Sequence, residues 1–147
     1  MRINVHPPED AKLLWKPDGV FLQDIFYHHY FWILVEKDGS ELKFEVNLPE
    51  WLVELTSFLK ATEATTSYNK NMTLSGDNFI AEKKNNIRKI KVFDQNKTQL
   101  EWLDLTENEA GLLHARLVCE LIEAVEQATG KPMQIKDLDR LEIGRVA

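Results

Sequence analysis

The chain has 147 residues, 44% hydrophobic and 29% charged, with six glycines, five prolines and a formal net charge of −6. That is about one domain, able to bury a core without disulfides or metals, and it excludes disorder over most of the length. The acidic balance argues against general affinity for nucleic acid or anionic lipid, and no apolar run is long enough for a membrane-spanning helix.

The N-terminus lacks the apolar run of a signal peptide, and the single cysteine, Cys119, can form no intrachain disulfide. Both features predict a soluble cytoplasmic protein. Arg2 to Val5 alternate as a short strand before Pro7-Pro8. Ala11 to Trp15 fit a strand or a helical turn, and Lys16-Pro17-Asp18-Gly19 is a turn. Ile25 to Val35 is the most apolar stretch, with aromatic and branched residues at both alternating positions. It predicts a strand covered on both sides or central in its sheet. Asp38-Gly39 then reverses the chain as a hairpin turn, and Glu41 to Val46 return with Leu42, Phe44 and Val46 on one face.

Asn47 with Glu50 three residues on forms a capping-box pattern, and Pro49 suits a first helical turn. The apolar stripe Leu48, Trp51, Leu52, Leu55, Phe58, Leu59 predicts a helix over about 48–60. Residues 61–77, rich in Thr, Ser and Asn, predict a long loop with a strand around Met72 to Leu74. A meander follows: Phe79 to Lys84, Ile87 to Asp94 and Thr98 to Leu105, with turns at Asn85-Asn86 and Gln95-Asn96-Lys97. Thr106 and Glu109 give a second capping box. The stripe Ala110, Leu113, His114, Leu117, Leu121, Val125, Ala128 then predicts a helix over 107–129, closed by Gly130 and Pro132. Over 135–147, Ile135, Leu138, Leu141 and Ile143 fit a short helix, an edge strand or a loosely packed tail.

The expected fold is a single α+β domain over 1–147. It has a mostly antiparallel sheet of five to seven strands, with the two helices packed on it. The expected core includes Trp32, Phe44, Trp51, Leu55, Phe58, Ile90, Val92, Leu113, Leu117, Leu121 and Val125. Residues 35–55 and 93–113 share one order, strand, turn, strand, cap, helix, which is a recurring architecture without the identities of a repeat.

His28 and His29 draw attention as a pocket pair, yet neighbouring strand residues point to opposite faces and cannot readily chelate one metal. His114 lies on the stripe of the last helix and reads as a satisfied histidine at a helix–sheet interface, with Cys119 nearby as a small buried hydrophobe. Glu120, Glu123 and Glu126 mark the outer side of that helix, either a solvated face or a strip that contacts a basic partner. Lys83, Lys84, Arg88, Lys89 and Lys91 form a basic hairpin; taking those five charges from −6 leaves −11 on the rest of the chain. Strand alternation splits them, Lys89 and Lys91 with Ile87 and Phe93, Arg88 with Ile90 and Val92. No phosphate loop, nucleophile elbow or zinc motif occurs, so no catalytic residue, metal or cofactor is assigned.

In size, acidity and lack of catalytic motifs the chain is similar to bacterial immunity proteins, which neutralise toxic nucleases. No residue motif carries that similarity, and it transfers no site. The first expectation is a protein-interaction module that covers a basic partner surface, a homo-oligomer staying open. Alternatives are a small-ligand binder or enzyme with a site near His28 and His29, and a nucleic-acid module using the basic hairpin. Exposed aromatics beside Lys83 to Lys91 would favour the last of these.

Overall fold

A computed structural model describes residues 1–7, 30–72 and 77–130. The expected turn at Lys16-Pro17-Asp18-Gly19, the pair His28 and His29, and the tail 135–147 lie outside these residues. Strand β1 (Arg2–His6) pairs antiparallel with β2 (Phe31–Lys37), and β2 with β3 (Ser40–Val46), so β2 is the middle strand of three. The β2–β3 turn is built on Asp38 and Gly39, with φ of 51° and 75°. Both values are left-handed, as the two-residue hairpin turn that matches strand twist requires.

Phe31, Ile33 and Val35 alternate into the core beside Val5, Phe44 and Val46. Trp32, expected in the core, is half-buried on the opposite face, with the Lys43 ammonium 4.7 Å from its ring centroid. The pairing decides this: Ile33 stands opposite Phe44, whereas Trp32 stands opposite Glu45. Where both alternating sets are apolar, the partner strand selects the inward one.

The chain then enters helix α1 (Leu48–Leu59), where the Asn47 carboxamide oxygen accepts the Glu50 N–H at 3.3 Å and Pro49 occupies the first turn. Strand β4 (Thr65–Asn71) follows, inside the stretch read from sequence as a loop. Its residues are Thr, Ser, Asn and Lys around a single aromatic, Tyr68, so it has too few apolar positions for its alternation to show. Met72 is buried just past the strand end. Strands β5 (Asn78–Lys84), β6 (Ile87–Asp94) and β7 (Gln99–Thr106) complete a four-stranded antiparallel sheet in the order β4-β5-β6-β7. Helix α2 (Glu107–Thr129) closes the described fold. Its start carries the full reciprocal box: Thr106 Oγ1 accepts the Glu109 N–H at 3.2 Å, and Glu109 Oε1 accepts the Thr106 N–H at 3.0 Å.

The fold is therefore α+β with two helices, but its strands form two antiparallel sheets of three and four, not one sheet of five to seven. Helix α1 is inserted between β3 and β4, which separates the two ladders. They meet where the Gln95 N–H, just past β6, donates to the Lys43 carbonyl of β3 at 2.8 Å. Trp51 of α1 joins their inner faces, its ring 5.8 Å from Phe44 of the first sheet and 5.5 Å from Phe79 of the second. A polar tie adds to this: Lys37, at the end of β2, donates to the Asp104 carbonyl and to Glu109 Oε1, each at 2.7 Å. One buried cluster runs through both sheets and both helices, and every expected core residue except Trp32 belongs to it. Each hairpin, β2–β3 and β6–β7, leads directly into a capped helix, the recurring order visible in the sequence.

Candidate interaction surface

The meander β5–β6–β7 shows one face to the helices and the other to solvent. Arg88, Ile90 and Val92 of β6 are buried, while Ile87, Lys89, Lys91 and Phe93 point outward. Register carries the same split to β7, where Leu100 stands opposite Phe93, Trp102 opposite Lys91 and Asp104 opposite Lys89. Ile80, Glu82 and Lys84 of β5 continue these rows on the other side of β6.

Among the described residues six large hydrophobic side chains are exposed, and four of them, Ile87, Phe93, Leu100 and Trp102, share this outer face. Phe93 is 44%, Leu100 60% and Trp102 38% exposed. Phe93, Leu100 and Trp102 adjoin one another across β6 and β7, while Ile87 stands apart beyond Lys89 and Asp104; isolated exposed apolar residues are ordinary, but a contiguous group of this kind marks a surface for contact. The Lys89 and Lys91 ammonium groups lie 5.8 and 5.6 Å from the Trp102 ring centroid. Beside this patch, where β6 runs past β5 toward β3, a cleft of about 740 Å³ opens. Buried Phe44, Trp51 and Val92 line it together with the more exposed Ile80, Phe93 and Leu100, and the charged residues Glu45, Asp77 and Lys91 line it too.

The basic hairpin is divided between two tasks. Arg88 is buried, and its guanidinium donates to the Phe58 carbonyl at 2.8 Å, the Leu59 carbonyl at 3.3 Å and the Ala61 carbonyl at 2.9 Å. Its Nε meets both Glu107 carboxylate oxygens at 3.0 and 3.1 Å, and its charged end lies 5.1 Å from the Phe58 ring centroid. Lys83 is buried too, 3.6 Å from Glu107. These two cations hold the end of α1 and the start of α2 and face away from solvent. Lys84 is exposed, and Lys89 and Lys91 are half-buried on the outer face.

The acidic strip of α2 is narrower than its sequence suggests. Glu123 and Glu126 are exposed, but Glu120 is half-buried, 3.0 Å from Arg116. Burial pushes the Glu120 carboxyl up, against the pull of Arg116. Cys119, expected as a buried hydrophobe, is exposed. His114 is buried and satisfied by the neighbouring helix: its Nε2 lies 2.9 Å from Thr56 Oγ1 of α1, which itself donates to the Leu52 carbonyl at 2.7 Å. The hydroxyl has one proton, so it accepts from the ring, and the imidazole is the Nε2–H tautomer. Among the described residues no group of three His, Cys, Asp or Glu side chains could hold a metal ion. Among them, too, no helix is long and apolar enough to cross a membrane.

Comparison with protein-family models, curated proteins and solved structures finds no match to this chain. The outer-face residues escape sequence reading for a definable reason. In β7 both alternating sets, Leu100 with Trp102 and Leu103 with Leu105, are apolar, so nothing local selects the inward one. The usable signal was in β6, where Phe93 falls in the same alternating set as Lys89 and Lys91.

Proposed function

We propose that this chain is a protein-interaction module that docks its partner on the outer face of the four-stranded sheet. The observation that supports this is the shared exposure of Phe93, Leu100 and Trp102 on one face, with Phe93 and Leu100 at an open cleft. An immunity- or inhibitor-type role belongs to this class of function. The exposed remainder of the acidic strip, Glu123 and Glu126, offers a smaller and purely charged alternative surface.

Affinity capture from the source cell's lysate distinguishes the two surfaces when run on variants. A partner retained by the wild type and by Glu123→Lys/Glu126→Lys, but lost by Phe93→Ser/Leu100→Ser, supports the sheet face. The opposite pattern moves the interface to α2. A nucleic-acid reading also draws on Trp102 and Phe93 being exposed beside Lys89 and Lys91. Recovery of nucleic acid in place of a protein, lost in Trp102→Ala, would replace the proposal with that reading.

A further inference from the structure

We infer that the partner segment seated on this face is apolar and acidic, opposite in sign to the partner that the net charge of the chain suggests; this rests on reading the face as the docking surface. Its charged side chains are Lys84, Lys89 and Lys91 against Glu82 and Asp104, so the face carries +1 and the remainder of the −6 chain carries −7. The positive charge is also placed unevenly. Lys89 stands between Glu82 on β5 and Asp104 on β7, with Asp104 Oδ1 3.9 Å from its ammonium. Lys91 stands between Ile80 and Trp102, and makes no ion pair with a carboxylate of the described residues.

Lys91 is thus a cation set in an apolar field of Ile80, Phe93, Leu100 and Trp102. A wholly apolar partner would strip water from its ammonium and supply nothing in return, which is costly. A carboxylate carried among apolar side chains covers the field and answers the charge together. The neighbouring cleft is lined by Glu45 and Asp77 as well as by apolar side chains, so in the matching segment an apolar residue faces the cleft and the acidic one sits over Lys91 and Trp102. A phosphate backbone is matched less well. It needs a track of cations, and here Glu82 and Asp104 flank Lys89 and interrupt one.

The test is a fluorescence-anisotropy titration of the full chain with four labelled probes: short peptides alternating Leu with Glu, with Ser or with Lys, and an oligo(dT) strand. The Glu peptide is expected to bind about tenfold tighter than the Ser and Lys peptides. Lys91→Glu should abolish that preference, Lys91→Met should weaken it, and Phe93→Ser/Leu100→Ser should remove binding of all the peptides. Equal binding of the three peptides, still lost in Phe93→Ser/Leu100→Ser, keeps the docking face and overturns the acidic assignment. Binding that ignores Phe93→Ser/Leu100→Ser, or no binding to any peptide, overturns the face itself. Preference for oligo(dT) overturns the peptide assignment in favour of nucleic acid.

Discussion

The Arg88 guanidinium donates to the Phe58 carbonyl at 2.8 Å, so a side chain of β6 joins the Ala61 N–H in closing helix α1. The last carbonyls of a helix have no partner within it, and α1 has no basic residue in its own last turn. A buried cation from another element takes that position, and Glu107 balances its charge.

Arg88→Met keeps most of the stem against Phe58 and removes the hydrogen bonds. The expected loss is about 2 kcal/mol: the Leu59 and Ala61 carbonyls lose their donor, the Phe58 carbonyl keeps the Ala61 N–H at 3.2 Å, and half-exposed Glu107 rehydrates. Urea unfolding monitored by circular dichroism measures it. A loss below about 1 kcal/mol would show that water replaces the guanidinium without penalty.

His114 gives a pH dependence of known sign. Burial first, and the nearby Lys60 ammonium second, hold its imidazole below the ordinary value of 6.5. The unfolded chain therefore binds this proton at a higher pH than the folded one. Its contribution to stability is complete above about pH 6.5 and declines as pH falls through that value. His114→Gln keeps a donor for Thr56 and removes the titration. Wild type should lose stability relative to His114→Gln on going from about pH 7 to about pH 5; a constant difference would place the proton elsewhere.

Tyr68 donates to Glu54 Oε2 at 2.5 Å, and burial, then this bond, push its phenol up to about 12 from 10.0. The unfolded phenol ionises first, so stability should fall as pH rises through 10. An alkaline ultraviolet titration of the folded protein should show one late-ionising phenol that disappears in Tyr68→Phe. The same variant should cost about 1 kcal/mol at neutral pH. A phenol that titrates near 10 would mean that Tyr68 is neither buried nor bonded to Glu54 in solution.

The docking face should be free of folding duties. Phe93→Ser/Leu100→Ser is expected to change stability by no more than about 0.5 kcal/mol per site. Leu105→Ala, one alternation away and fully buried, should cost about 2–5 kcal/mol. Thermal melts of the two variants check the contrast. A large loss from the surface pair would assign those side chains to the core.

What could be read from the sequence is what adjacent residues decide among themselves. Asn47 with Glu50 and Thr106 with Glu109 place both helix starts, and Asp38-Gly39 places the first hairpin, because each motif satisfies its own backbone. Strand β4 was hidden, since Thr66 and Tyr68 are the only side chains it turns even partly out of solvent. The division into two sheets was hidden for another reason: alternation says that a segment is a strand and not which strand it joins. The same limit applies to function. Arg88 and Lys91 are close in a basic run and alternation puts them on opposite faces, but only the packing of β6 shows which is the buried helix closure and which the outward cation.

The Lys37–Glu109 contact spans 72 residues of chain. During synthesis the β2–β3 hairpin leaves the ribosome long before the helix start that it is tied to, and the Phe79 ring that shares Trp51 with Phe44 also follows later. The first sheet must wait, its inner apolar face not yet covered by α2, until the chain through that helix has emerged. Nascent chains stalled before helix α2 should therefore be sticky, protease-sensitive species, and the emergence of that helix is the event that lets the two sheets lock.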